Sequence, residues 1–76
     1  MNKFYKHPSS IIEKNVIIGI NSKIWHFSHI MNDVSIGNNC IIGQNVFIGE
    51  NVKIGDNCKI QNNVSIFNGV ILRNNI

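Results

Sequence analysis

Isoleucine recurs every six residues through almost the whole chain, and this spacing restricts the folds that the chain can adopt. The uninterrupted series, which Leu72 continues, is Ile12, Ile18, Ile24, Ile30, Ile36, Ile42, Ile48, Ile54, Ile60 and Ile66. A six-residue apolar period fits neither the 3.6-residue period of a helix nor the simple two-residue alternation of a strand. It predicts a hexapeptide-repeat parallel β-helix, in which three short strands form one triangular coil of about eighteen residues.

The other positions of the repeat agree with this fold. We call the members of this series the ladder residues. Two residues before each ladder residue, the side chain is small or β-branched, and strand alternation places it on the same inward face. Three residues after each ladder residue, we expect a corner with a left-handed backbone, which Asn, Asp and Gly tolerate. These corner residues are Asn15, Asn21, Phe27, Asp33, Asn39, Asn45, Asn51, Asn57, Asn63, Gly69 and Asn75. Phe27 alone departs from the rule, and an aromatic residue there costs strain unless something else selects it.

The period also sets the predicted domain organisation. We expect one all-β domain, with residues 1–11 as an N-terminal cap segment and residues 12–76 as a left-handed β-helix that is incomplete at its C-terminus. From Ile12 onward, the chain has room for about three and a half coils. A chain of 76 residues buries a modest fraction of its surface. Its end coils would also expose unpaired strand edges, so we expect self-association.

Charge and hydropathy exclude several classes of protein. The net charge is +3, but the Lys and Arg residues form no basic run and no RNA-binding aromatic signature, so we expect no nucleic-acid partner. The first ten residues lack the apolar core of a signal peptide, and no segment reaches transmembrane length. These features predict a cytoplasmic protein with no membrane partner. Cys40 and Cys58 could stack in adjacent coils near disulfide geometry, but we interpret them as two small buried side chains.

One corner of the predicted β-helix differs from the others. Aligned in rows of eighteen, the chain brings together the segments Trp25–His29, Gly43–Phe47 and Gln61–Ser65. Their stacked columns are His26, Gln44 and Asn62; Phe27, Asn45 and Asn63; and His29, Phe47 and Ser65. Amide and imidazole groups that converge along a groove favour a site for a polar ligand. The alternative is an amide ladder that only satisfies the backbone of the turns.

Outward apolar residues accompany the strand that follows this corner. They are Ile11, Met31, Phe47 and Phe67. Contiguous exposed apolar surface usually marks an interface. Three-fold packing of β-helices would bury this stripe and bring the polar corner to a subunit boundary, so the sequence predicts a homotrimer.

The same segments carry a resemblance to a known family. Ile24–His29, Gly43–Gly49 and Lys59–Ile66 resemble motifs of the hexapeptide-repeat N-acetyltransferases of sugar nucleotides, and Tyr5–Ile12 is similar to the start of that family. The closest branch acetylates the 3-amino group of UDP-2-acetamido-3-amino-2,3-dideoxy-glucuronate, a precursor of surface polysaccharides. The resemblance covers nearly the whole chain in register.

This resemblance implies a trimer that uses acetyl-CoA as donor and a UDP- or dTDP-linked amino sugar as acceptor, bound between subunits. Acyl transfer to an amine needs a base for the proton and donors for the oxyanion. The implied base is His26 or His29, and no metal is implied. The implied substrate-binding residues are Trp25, Phe27, Gln44, Asn45, Gln61, Asn62 and Asn63. Relatives continue through further coils that supply much of the coenzyme A cleft, so we expect a truncated chain that ends mid-strand at Ile76.

Other functions remain open on the residues alone. A non-catalytic β-helix stub would trimerise or bind a sugar nucleotide without turnover, and acetyl-CoA binding separates it from an enzyme. A γ-class carbonic anhydrase would need three suitably placed histidine ligands for zinc. The chain has only His7, His26 and His29, and His7 is expected to precede the β-helix. An ice-binding β-helix would need outward threonines, and the chain contains none.

Overall fold

The computed structural model describes residues 4–76, and its regular elements are twelve two-residue β-strands. The strands are β1 Tyr5–Lys6, β2 Ile11–Ile12, β3 Ile17–Ile18, β4 Lys23–Ile24, β5 His29–Ile30, β6 Ser35–Ile36, β7 Ile41–Ile42, β8 Phe47–Ile48, β9 Lys53–Ile54, β10 Lys59–Ile60, β11 Ser65–Ile66 and β12 Ile71–Leu72. A helix of the length and apolarity needed to span a membrane is not found in residues 4–76.

The strands form three parallel four-stranded sheets that share one axis. Sheet A contains β1, β4, β7 and β10; sheet B contains β2, β5, β8 and β11; and sheet C contains β3, β6, β9 and β12. Because the chain passes from sheet A to B to C in each coil, three columns of corners result. Corner AB comprises residues 7–10, 25–28, 43–46 and 61–64; corner BC comprises 13–16, 31–34, 49–52 and 67–70; and corner CA comprises 19–22, 37–40, 55–58 and 73–76. The fold is therefore the predicted all-β hexapeptide-repeat β-helix, of the left-handed class.

The first coil begins earlier than the apolar period indicates. Strand β1 pairs with β4 in parallel register, Tyr5 with Lys23 and Lys6 with Ile24. Lys6 therefore occupies a ladder position, and a lysine there conceals the coil from a search for apolar spacing. The described part of the predicted cap, from Phe4 to Ile11, already belongs to the first coil, whereas residues 1–3 lie outside the described range. The β-helix thus has about four coils rather than three and a half.

The core consists of the predicted inward columns. The ladder residues of the middle coils are fully buried, and the small residues that precede them are buried beside them. Cys40 and Cys58 are free thiols, and each Sγ lies 3.0 Å from a backbone oxygen of the following coil, that of Gly55 and of Arg73 respectively. Burial raises the pKa of the Cys40 thiol. Both cysteines are therefore small buried residues, as expected.

The backbone of the corners confirms the prediction in full. All eleven predicted corner residues have a positive φ, including Phe27 at 58° and Gly69 at 77°. For most L-residues this conformation costs about 1–2 kcal/mol, which explains why Asn dominates the column. Phe27 bears that cost with an exposed side chain, so burial of its own ring does not compensate for it.

Candidate functional site

Corner AB collects most of the residues that the sequence predicts for a site. Trp25, His26 and Phe27 lie in its second coil, Gln44 and Asn45 in its third, and Gln61, Asn62 and Asn63 in its fourth. All of these side chains reach the surface, and His26 is half-buried. His29 lies just past the corner, as the first residue of β5 on the outer face of sheet B. The predicted residues therefore form one polar edge and its border with sheet B.

His29 contacts a carboxylate, and the sequence did not predict this contact. Its Nε2 lies 2.7 Å from Oε2 of Glu13, with side-chain exposures of 38% and 37%. A carboxylate can only accept, so Nε2 carries the donated proton and Nδ1 is the free acceptor of the neutral ring. Phe47, one coil below, contacts the imidazole in an edge geometry with ring centroids 5.9 Å apart. The ring of His29 is thus oriented by a charged partner and an aromatic one.

His26 has a different environment, because its ring lies on that of His7. The two ring centroids are 3.8 Å apart at an angle of 38°. Nδ1 of His7 accepts from the backbone N–H of Ser9 at 3.1 Å and from its hydroxyl at 2.8 Å. Burial lowers the pKa of His7, and the nearby charges of His26 and Lys6 lower it further. The expectation that His7 precedes the β-helix is wrong, because it forms part of corner AB in the first coil.

The three histidines do not converge within one chain. His7 contacts His26, while His29 pairs with Glu13. Across residues 4–76, no group of three or more His, Cys, Asp or Glu side chains is arranged to hold a metal ion. The arrangement in one chain therefore gives no support to the three-histidine zinc pattern of the γ-class carbonic anhydrases.

The amide columns have a structural role in addition to any binding role. Oδ1 of Asn62 accepts from the backbone N–H of Gln44 at 2.9 Å, and Nδ2 of Asn45 donates to Oδ1 of Asn63 at 2.8 Å. The contact of Asn62 recurs at other corners, for example from Glu50 N–H to Oδ1 of Asn68 at 2.9 Å. A Cβ at Gly43 would lie 2.4 Å from Oδ1 of Asn62, which explains the glycine there. Asn62 thus belongs to a ladder that supports the turns, although this contact leaves its amide N–H groups available.

This shared contact gives a direct test of the role of Asn62. We expect Asn62→Ala and Asn68→Ala to lower the free energy of unfolding by a similar amount, about 1 kcal/mol, because each removes one neutral hydrogen bond to a turn. Urea denaturation followed by circular dichroism measures both. If Asn62 also binds substrate, only Asn62→Ala will weaken ligand binding in calorimetry. Complete unfolding by Asn62→Ala alone would contradict its assignment to a site.

The predicted apolar stripe divides into two columns. Ile11 and Phe47 lie on the outer face of sheet B, whereas Met31 and Phe67 lie one position further, at the start of corner BC. The interpretation of all four as outward residues of the strands that follow corner AB is therefore wrong, because only Ile11 and Phe47 lie in strands of sheet B. Ile11 and Phe47 flank His29 in its own column, according to the pairing of β2, β5 and β8. The polar pair of His29 and Glu13 thus lies inside an apolar surface.

Comparison with known families agrees with the fold. Residues 15–50 match the family described as bacterial transferase hexapeptide (six repeats). Residues 33–68 match the family described as hexapeptide repeat of succinyl-transferase. No curated protein matches the chain. The two matches together include the corner AB segments of the second, third and fourth coils.

Proposed function

We propose that this chain, which matches two hexapeptide-repeat transferase families over residues 15–50 and 33–68, moves an acetyl group from acetyl-CoA to the amino group of a nucleotide-linked amino sugar. Hexapeptide acyltransferases generally use acyl-CoA donors, and acyl transfer is the activity type that the family matches indicate. The acetyl group, the amino sugar and a role in surface-polysaccharide precursor synthesis are the specific parts of the proposal. They rest on the corner AB residues and on the resemblance that those residues carry.

The observation that carries the proposal is the contact between His29 and Glu13. With Nε2–H held by the carboxylate, Nδ1 of the neutral imidazole can accept a proton from the acceptor amine. The amine nitrogen attacks the thioester carbon, the C–S bond breaks, and the coenzyme A thiolate leaves and takes up a proton. Glu13 then stabilises the imidazolium and keeps the ring in place, in the manner of a carboxylate behind a catalytic histidine. In this proposal His29 is the base and Glu13 a positioning residue.

The other predicted residues have consistent roles around this base. The amide groups of Gln44, Gln61 and Asn62 can donate to sugar hydroxyls or to the developing oxyanion. Asn45 and Asn63 are linked to each other, and this contact fixes the orientation of both amides. Trp25 and Phe27, two residues apart in the second-coil corner, offer exposed aromatic surface to the sugar or its nucleotide. We assign His26 to substrate contact rather than to proton transfer, because it lies against His7 instead of a carboxylate.

A homotrimer completes this proposal. Hexapeptide β-helix proteins commonly trimerise. Corner AB and the outer face of sheet B form an open surface, and the exposed Ile11, Phe47 and Phe67 lie on it or next to it. Packing of a second subunit over these residues would exclude water from the contact between His29 and Glu13. The site is therefore proposed to lie between subunits.

A second candidate is a non-catalytic β-helix that trimerises and binds a sugar nucleotide without turnover. The observation in its favour is that Oδ1 of Asn62 accepts a hydrogen bond from a backbone N–H of the turn. The same contact occurs at Asn68, in a corner without any candidate base. Under this alternative the amide column is mainly a device for closing turns, and the sugar nucleotide contacts only its outer N–H groups.

Isothermal titration of the 76-residue chain with acetyl-CoA and, in parallel, with a UDP-linked amino sugar tests the proposal. Binding of both, together with release of free coenzyme A thiol when they are mixed, is the expected result. Binding of the sugar nucleotide alone would favour the second candidate. If a folded protein binds neither ligand, both functions are wrong.

A further inference from the structure

The outer face of sheet A combines aromatic and basic side chains in one register. Tyr5, Lys23, Ile41 and Lys59 occupy a single outward column, through the pairing of β1, β4, β7 and β10. Trp25 lies in the next column, one coil below His7, and its ring centroid lies 5.5 Å from that of Tyr5. Tyr5 is 43% and Trp25 37% exposed, so both rings retain accessible surface. The face thus presents aromatic surface directly beside an ammonium group.

The charges of the chain are segregated around this face. Of the four acidic residues, Glu13, Asp33 and Glu50 lie in corner BC and Asp56 lies in corner CA. Within residues 4–76, neither sheet A nor corner AB contains a carboxylate side chain. Lys23 and Lys59 lie two coils apart, a separation of about 10 Å at the usual strand spacing. Two flexible lysine side chains can span this distance and contact the same anion. The face is therefore complementary to a negatively charged ligand.

A pocket marks the upper end of the same face. It has a volume of about 210 Å³ and is lined by Phe4, Tyr5, Asn21, Ser22 and Lys23. Its two aromatic side chains offer apolar surface to a flat ring, and Asn21 offers an amide for hydrogen bonds to it. Because Lys23 lines the pocket and also continues the basic column, a ring bound in the pocket would have its attached anion directed along sheet A.

We propose that the outer face of sheet A binds the nucleoside diphosphate part of the sugar nucleotide. The nucleobase packs in the pocket against Tyr5, with Trp25 beside it. The diphosphate contacts Lys23 and Lys59. The identity of the ligand rests on the proposed function, whereas the binding surface rests on the residues of sheet A. Coenzyme A also contains a nucleoside diphosphate, but sheet A leads directly into the amide column of corner AB, where the sugar is proposed to bind. This continuity favours the sugar nucleotide.

Trp25 is the single tryptophan of the chain and reports on this surface directly. We expect UDP alone to quench the fluorescence of Trp25 saturably, and higher salt to weaken the binding. Lys23→Gln and Lys59→Gln should each raise the dissociation constant about tenfold, the usual effect of losing one charged hydrogen bond. Lys53→Gln is the matched control, because β9 has the same Lys–Ile sequence and exposure pattern on sheet C. It should leave the dissociation constant unchanged.

Several results would overturn the inference. They are absence of quenching by UDP in a folded protein, an equal effect of Lys53→Gln, or quenching by coenzyme A but not by UDP. Failure of the inference is distinguishable from failure of the proposed function. Acetyl transfer without any effect of UDP on Trp25 would reject the surface and retain the enzyme. Binding of UDP that depends on Lys23 without acetyl transfer would retain the surface and reject the enzyme.

Discussion

Replacing His29 by Gln is expected to lower kcat for acetyl transfer by about 10²–10⁴-fold, the usual contribution of a general base. The amide Nε2 of Gln can keep the hydrogen bond to Glu13, so the local structure should survive. No nitrogen of that amide accepts a proton at neutral pH, so the amine of the sugar would lose its base. Release of coenzyme A thiol from acetyl-CoA in the presence of a UDP-linked amino sugar measures the effect.

His26→Gln is the matched control for this result. Both histidines were candidates for the base, but only His29 contacts a carboxylate, at 2.7 Å. We therefore expect His26→Gln to raise KM more than it lowers kcat. Glu13→Gln should lower kcat less than His29→Gln does, because it removes the charge behind the base and leaves the base in place. Circular dichroism of all three variants should be unchanged, since each of these side chains is at least partly exposed.

A larger loss of turnover in His26→Gln than in His29→Gln would contradict the assignment of His29 as the base. If His26→Gln abolished turnover and His29→Gln did not, the base would belong to the contacting pair of His7 and His26. If neither substitution changed turnover, the amine would lose its proton without help from either side chain. Recovery of activity in a His29→Gly variant on addition of imidazole would give independent support, because it restores the missing acceptor without restoring any packing.

The sequence predicted the fold because the β-helix is a repeat of local rules. The ladder position needs an apolar side chain, the corner needs a residue that tolerates positive φ, and both needs recur in every coil. All eleven corner residues were identified in this way, including Phe27. The prediction missed the first coil because Lys6 occupies a ladder position there. Phe27 breaks the residue rule but is placed by the coils on both sides of it, whereas Lys6 lies at the end of the series and is not.

The contacts of the candidate site were harder to predict, because they connect different columns. An eighteen-residue alignment stacks residues of one column, but Glu13 and His29 are sixteen residues apart and His7 and His26 are nineteen apart. Such contacts depend on how each side chain turns over the corner, which the repeat does not determine. The alignment therefore identified the edge that carries the site, but not the partner of either histidine.

Asn62 illustrates a different limit. An asparagine that holds a turn and an asparagine that holds a sugar look the same in the sequence, because both occupy an exposed corner position. The structure adds that Oδ1 of Asn62 is used by the turn, as is that of Asn68 in corner BC, where neither the base nor a substrate-binding residue is proposed. Only the comparison of these two positions in a binding measurement separates the roles.

Ile42→Ala is expected to lower the free energy of unfolding by about 2–5 kcal/mol, because Ile42 is 0% exposed and its loss leaves a cavity in the core. Stability of about 0.05–0.15 kcal/mol per residue makes this a large part of the total for a chain of this size. Ile42 pairs with Ile24 above and Ile60 below. Since each coil of a solenoid contacts only its neighbours, a cavity in this central position weakens both halves at once. Urea denaturation followed by circular dichroism measures the loss.

Ile17→Ala provides the control, because Ile17 is a strand residue of the same type that is 69% exposed on sheet C. We expect its free energy of unfolding to stay within about 0.5 kcal/mol of the parent value. The contrast tests the register of the whole β-helix, since a shift of one residue would exchange the inward and outward faces of every strand. Equal losses for the two variants would contradict the register. That register also determines which side chains face outward at corner AB and on sheets A and B, so the same result would remove the basis for both proposed binding surfaces.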